Sequence, residues 1–178
     1  MFFLPIIQEN YKKRYQITIF FLKFATQLIE LNHFYTYTTD MNSLINPGID
    51  VESLRVMVVD DVPLNVLLIK KMLSQYTFKL ITANSGQSAL DQIEKQIPDL
   101  LLLDLMMPGI DGFEVIRRLR SDEKTKELPI IILSALNSEA DIVKGFQLGA
   151  NDFINKPIIM EKLLNSVTTQ INLKFSQS

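Results

Sequence analysis

From Leu54 onward the chain alternates short, unbroken apolar runs with longer stretches whose apolar residues recur three and four apart. Arg55–Val59, rich in valine, predicts a strand that ends at Asp60–Asp61. Leu64–Tyr76 has apolar residues at 64, 67, 68 and 72, which is helical spacing. Lys79–Ala83 predicts a second strand. Ser85–Gln96 predicts a helix turning Leu90, Ile93 and Ile97 inward, with Ser85 as its N-cap. Leu100–Leu103 is a run of leucines with no polar face, which suits a central strand covered by helices on both sides. Phe113–Arg120 predicts a helix burying Phe113, Ile116 and Leu119, and Pro129–Leu133 a strand ending at Ser134–Ala135. Glu139–Leu148 predicts a helix stopped by Gly149. Asp152–Asn155 then predicts a strand ending at Lys156–Pro157, and Met160–Leu173 a closing helix.

Five strand–helix units in succession predict an α/β fold, a doubly wound five-stranded parallel sheet with helices on both faces. Right-handed crossovers bring the carboxyl ends of all the strands to one edge. Open α/β sheets hold their ligand crevice there. The polar residues at those ends are Asp60, Asp61, Asp104, Ser134 and Lys156, and the loop after Asp104 carries the turn formers Pro108, Gly109, Asp111 and Gly112. Taken singly, Asp104 reads as a strand cap, Lys156 as a surface charge and Ser134 as a turn residue. Their convergence at one sheet edge is what marks a site.

The first 40 residues follow a different pattern, dense in Phe and Tyr, with Lys12–Arg14 ahead of the apolar Ile17–Ala25. Lys23 interrupts that run, no small-residue cleavage site follows it, and it falls far short of the roughly 20 residues that span a bilayer. Gln16–Leu31 fits an amphipathic helix with Ile17, Phe20, Phe21, Phe24, Leu28 and Leu31 near one face. A docking helix, a membrane-surface helix and upstream sequence outside the native protein all fit it. Met41 is an alternative start, and 38–53 reads as a linker broken by Pro47–Gly48. The expected division is an extension over 1–50 and a domain over 51–174. No membrane association is expected.

Composition narrows the chemistry. A formal net charge of -2 recommends no nucleic-acid surface. Absence of Cys excludes thiolate chemistry and fits a reducing, cytoplasmic setting. His33, the single histidine, lies among apolar residues without an acidic neighbour, so it reads as a packed or surface imidazole. Three carboxylates in one crevice repel each other, and a divalent cation removes the conflict. Oxygen ligands alone favour a hard ion such as Mg²⁺. A carboxylate nucleophile, a metal, a lysine and a hydroxyl together describe phosphoryl transfer.

Asp60–Asp61, Asp104, Ser134–Ala135 and Lys156–Pro157, with MMPGIDGFE after the aspartate, resemble the receiver domain of two-component response regulators over about residues 54–173. The resemblance implies a flavodoxin-like fold with strand order 2-1-3-4-5. It makes Asp104 the phosphoacceptor, served by a phosphohistidine on a sensor histidine kinase or a histidine phosphotransfer protein. Asp61, Asp104 and the Met106 backbone carbonyl would ligate Mg²⁺, with Asp60 acting through water. Lys156, on a cis peptide to Pro157, would hold a phosphoryl oxygen. Ser134 and Phe153 would form the switch, Phe153 standing where Tyr is commoner, and would change the surface of the fourth and fifth predicted helices for a downstream protein.

DDVPLN and DIVKGFQLGANDF resemble receivers of hybrid kinases and of cyclic-dinucleotide signalling proteins. Asp152 matches the charged dimer face of the DNA-binding subfamily, but Ser166 stands where its Arg belongs. A phosphorylation-dependent dimer of another kind stays open. The chain ends soon after the last predicted helix, so a stand-alone receiver is expected, not an enzyme beyond its own phosphorylation and dephosphorylation. A haloacid-dehalogenase-like phosphatase needs a second Asp where Met106 stands, and a dinucleotide reductase needs a Gly-rich loop that DDVPLN lacks. A docking receiver that is never phosphorylated is the remaining alternative.

Overall fold

The computed structural model describes residues 44–136 and 138–176. The helix expected over Gln16–Leu31, His33 and the alternative start at Met41 lie outside the described residues. Strands β1 (Arg55–Val59), β2 (Lys79–Ala83), β3 (Leu100–Leu103), β4 (Ile130–Ser134) and β5 (Asp152–Asn155) form one parallel sheet in the order β2-β1-β3-β4-β5. The flavodoxin-like order expected above is the one found. Helices α1 (Pro63–Met72), α2 (Gly86–Lys95), α3 (Gly112–Ser121), α4 (Glu139–Gln147) and α5 (Met160–Ser176) follow the strands in turn. None of the helices among the described residues is long and apolar enough to cross a membrane.

Because side chains alternate along a strand, the leucine run feeds two cores. Leu100 and Leu102, with Val56, Val58, Ile131 and Leu133, pack under Ile69 and Met72 of α1 and Leu163, Val167 and Ile171 of α5. Leu101 and Leu103, with Met57, Val59, Ile130 and Ile132, pack under Ala89 and Ile93 of α2 and Val115 and Ile116 of α3. Covered on both faces, β3 holds the centre of the sheet and delivers Asp104 to its edge.

Helix α1 departs from its expected form. It ends at Met72 instead of Tyr76, because both the N–H and the hydroxyl of Ser74 turn back to the Lys71 carbonyl. The tightened chain tucks Tyr76 into the core, where its ring stacks on Phe78 at 5.0 Å. The inward face of α1 takes Ile69 and Met72, which are buried, while Leu64 and Leu67 are exposed. Asn65 supplies the reason, since its amide bonds the buried Asp60. That contact turns positions 65, 69 and 72, one helical stripe, toward the sheet.

Packing also begins earlier than the expected boundary at residue 51. Ile45 is 3% exposed and joins the core beside α5. Asn46 N–H donates to Asn172 Oδ1 at 2.9 Å, and Asn172 Nδ2 donates to the Leu44 carbonyl at 3.0 Å. From Leu44 on, the expected linker is part of the packed domain.

Candidate functional site

The sheet's own hydrogen-bond ladder carries the acids and the lysine to one edge. Asp60 N–H donates to Ala83 O at 3.3 Å, Asp104 N–H to Val59 O at 2.9 Å, and Lys156 N–H to Ser134 O at 2.8 Å. The loop after Asp104 is held close by Gly112, where a Cβ would lie 2.4 Å from the Asp104 carbonyl oxygen. Asp111 caps α3 by accepting from Glu114 N–H at 2.8 Å.

Asp60, Asp61 and Asp104 each present a carboxylate oxygen within 4.8 Å of the others. Asp60 is 1% and Asp104 4% exposed, and Asp61 is half-buried. Lys156 Nζ bridges two of them, 2.7 Å from Asp60 Oδ2 and 3.1 Å from Asp104 Oδ1. The contact to Asp60 is a hydrogen bond. The one to Asp104 is an ion pair without hydrogen-bond geometry, so Asp104 Oδ1 is a buried oxygen with no hydrogen-bond partner. Burial pushes the Asp104 carboxyl above its usual range; Lys156 pulls it back, Asp60 pushes it up, and the Met106 backbone N–H lowers it, leaving it raised.

Asp60 is the better satisfied acid. Val62 N–H donates to its Oδ1 at 2.8 Å, and Asn65 Nδ2 reaches both oxygens at 3.0 Å. An oxygen-only set of close carboxylates, one with an oxygen lacking a hydrogen bond, fits a hard divalent cation.

Ser134 is fully buried at the end of β4, and its Oγ accepts from Leu136 N–H at 3.1 Å. Phe153 is half-buried on β5, opposite Ile132 in register, with its ring beside Gly145 of α4. The Lys156–Pro157 peptide is cis. The Ser166 hydroxyl donates to the Asp152 carboxylate, so an internal hydrogen bond occupies the acid that an Arg would otherwise pair.

The sequence pattern does not single out Asn65. Its signal is positional: Pro63 opens α1, and a residue in that first turn can face back over the acid that ends β1.

Residues 56–168 match the family described as the response regulator receiver domain. Response regulator PleD of Caulobacter vibrioides is 42% identical over 106 residues, which is 60% of this chain and 23% of PleD. The chain thus spans under a quarter of that relative's length. Protein PilH of Pseudomonas aeruginosa is 33% identical over 113 residues, 64% of this chain and 93% of PilH. The crystal structure of the signal receiver domain of a signal transduction histidine kinase from Syntrophus aciditrophicus superposes with a TM-score of 0.63 at 27% identity, covering 67% of this chain and 90% of that one. The family match runs from β1 into α5 and so takes in every strand and every acid of the cluster. The chain belongs to the response regulator receiver domain family.

Proposed function

We propose that the domain is the phosphoacceptor of a two-component phosphorelay, Asp104 taking a phosphoryl group from a phosphohistidine on a sensor kinase or histidine phosphotransfer protein. The observation that carries this reading is Lys156 Nζ, held 3.1 Å from a buried Asp104 oxygen that has no hydrogen-bond partner, inside a three-carboxylate cluster. Asp60, Asp61, Asp104 and the Met106 carbonyl would hold Mg²⁺. Bound there, Mg²⁺ supplies charge neutralisation for the carboxylates and the incoming phosphoryl oxygens.

The residues of the chain do the rest. A carboxylate oxygen of Asp104 attacks phosphorus in line with the donor nitrogen; the P–O bond forms, the P–N bond breaks, and the electron pair leaves with the imidazole. Lys156 holds a phosphoryl oxygen. Ser134, whose oxygen accepts from Leu136 N–H, keeps its own O–H to donate to another.

Val62, Leu64, Leu67 and Ile159 are exposed apolar residues close in sequence to Asp61 and Lys156. They support docking of the donor protein over the site. Movement of Ser134 and Phe153 would change the α4–β5–α5 surface, where Val143 and Phe146 are exposed on α4, for a downstream protein. The domain then catalyses only its own phosphorylation and dephosphorylation, in the cytoplasm. Met106, whose thioether cannot transfer protons, argues against a phosphatase that needs a general acid there.

Incubation with acetyl phosphate and Mg²⁺ followed by intact mass measurement tests the reading. A gain of one acid-labile phosphoryl group in wild type, lost in Asp104→Asn, is expected. Undiminished labelling of the Asn variant overturns the assignment. A wild type that never labels from either a small donor or a phosphohistidine protein leaves the docking-only reading standing.

A further inference from the structure

Lys156 has two carboxylate partners, and the shorter contact, 2.7 Å, is the hydrogen bond to Asp60. The reading above, on which this inference rests, requires that lysine to serve an anion on Asp104. Turning it toward that anion weakens its 2.7 Å bond to Asp60, a carboxylate that is 1% exposed. A buried carboxylate left without donors is strongly destabilised. Mg²⁺ shared with Asp61 and Asp104 would offset part of that loss, so the move still needs a neutral donor to hold the rest of Asp60 in place.

Asn65 is placed to do so. Its Nδ2 lies 3.0 Å from Asp60 Oδ1 and 3.0 Å from Oδ2, and Val62 N–H adds a donor to Oδ1 at 2.8 Å. The amide carries no charge, so it satisfies Asp60 without competing with Lys156 for the phosphoryl group. Half-buried in the first turn of α1, it is held independently of β5, the strand that Lys156 follows. We infer that Asn65 is a positioning residue that holds Asp60 so that Lys156 can exchange Asp60 for an anion at Asp104.

Asn65→Leu removes the donor while keeping the branched shape and the charge. Two affinities of the full chain are measured: Mg²⁺ alone by calorimetry, and beryllofluoride, a phosphoryl mimic, by fluorine NMR at saturating Mg²⁺. The expected result is beryllofluoride binding weakened about tenfold, equivalent to about 1.4 kcal/mol, with Mg²⁺ affinity changed less than about threefold. In a Lys156→Met background the same substitution should change beryllofluoride affinity less than about twofold. A structural defect would lower both affinities together and persist without Lys156. Unchanged beryllofluoride binding, parallel loss of Mg²⁺ binding, or an undiminished effect in the Lys156→Met background each overturn the inference. Asn65→Ala replaces Asn65→Leu if melting shows the latter misfolded. Wild type that binds Mg²⁺ but no beryllofluoride would remove the phosphoacceptor reading itself, whereas wild type that binds both while Asn65→Leu matches it removes only this inference.

Discussion

The Arg120 guanidinium donates twice to the Gly149 carbonyl, from Nη2 at 2.7 Å and from Nε at 3.0 Å. It also reaches Asn151 Oδ1 at 3.2 Å, an oxygen that accepts from Ile130 N–H at 2.9 Å. One side chain on α3 thus ties the turn after α4 to the start of β4. Gly149, at φ +100°, makes that turn in a conformation other residues rarely adopt. Helix α4 buries only Gly145 fully, so it depends on this anchor more than on apolar packing. Arg120→Ala should destabilise the domain by about 1.5–3 kcal/mol, read as a lower urea midpoint at unchanged slope. Arg120→Lys should recover less than half, since a point charge cannot fork. A midpoint equal to wild type would mean that water serves the Gly149 carbonyl as well as Arg120 does.

Protonation of Asp104 gives a second prediction. Burial, only partly offset by Lys156, raises its carboxyl above the ordinary 3.8. The folded state then binds that proton more tightly than the unfolded state, so this group lowers stability as pH rises. Its penalty is absent below the unfolded value and complete above the raised folded one. In EDTA, Asp104→Asn should be more stable than wild type near about pH 7, and the gap should close on acidification to about pH 3. Urea melts at both values check this. A gap that is constant with pH would assign the difference to packing and not to the proton.

Ile45 and Asn46 set where the domain begins. A chain starting at Met41 keeps both and should unfold cooperatively and still label on Asp104. Ile45→Ala removes a core side chain and should destabilise by about 2–5 kcal/mol. Starting instead at Leu54 also removes the bonds to Asn172, and the loss should be at least as large. Equal unfolding midpoints for the Met41 and Leu54 starts would show that the packed segment contributes nothing.

What the sequence makes legible is what local pattern controls. Leu100–Leu103 suits a strand covered on both faces, Asp60 and Asp104 stand out because each ends an apolar run, and Lys156 because it follows the last predicted strand. Periodicity identifies α1 as a helix but not its rotation. The Asn65–Asp60 contact fits the observed rotation, which leaves Leu64 and Leu67 exposed. Ile45 lies in a short Pro–Gly stretch with no period to betray its burial. Arg120 and Gly149 are 29 positions apart, and no local signal pairs them.

A last prediction concerns the lifetime of the phosphorylated state proposed above and two apolar residues beside it. Hydrolysis of an aspartyl phosphate needs a water in line with phosphorus, opposite the Asp104 oxygen. The family resemblance makes the residues flanking that approach the ones two beyond Asp104 and two beyond Ser134, here Met106 and Leu136. Met106 is 56% exposed and Leu136 half-buried, and neither side chain offers a strong hydrogen-bond partner. Receivers with fast turnover tend to carry polar side chains there, able to hold and orient the water. Losing one such contact need raise the barrier by only about 1.4 kcal/mol to slow hydrolysis tenfold. The expected consequence is a persistent phosphorylated state, suited to a slow response or to onward relay. Met106→Asn combined with Leu136→Glu should therefore shorten the half-life of labelled protein about tenfold or more, measured as loss of label after removal of the donor. If bound Mg²⁺ and Lys156 alone set the rate, the polar pair will leave decay unchanged, and the two apolar side chains will have no part in the lifetime.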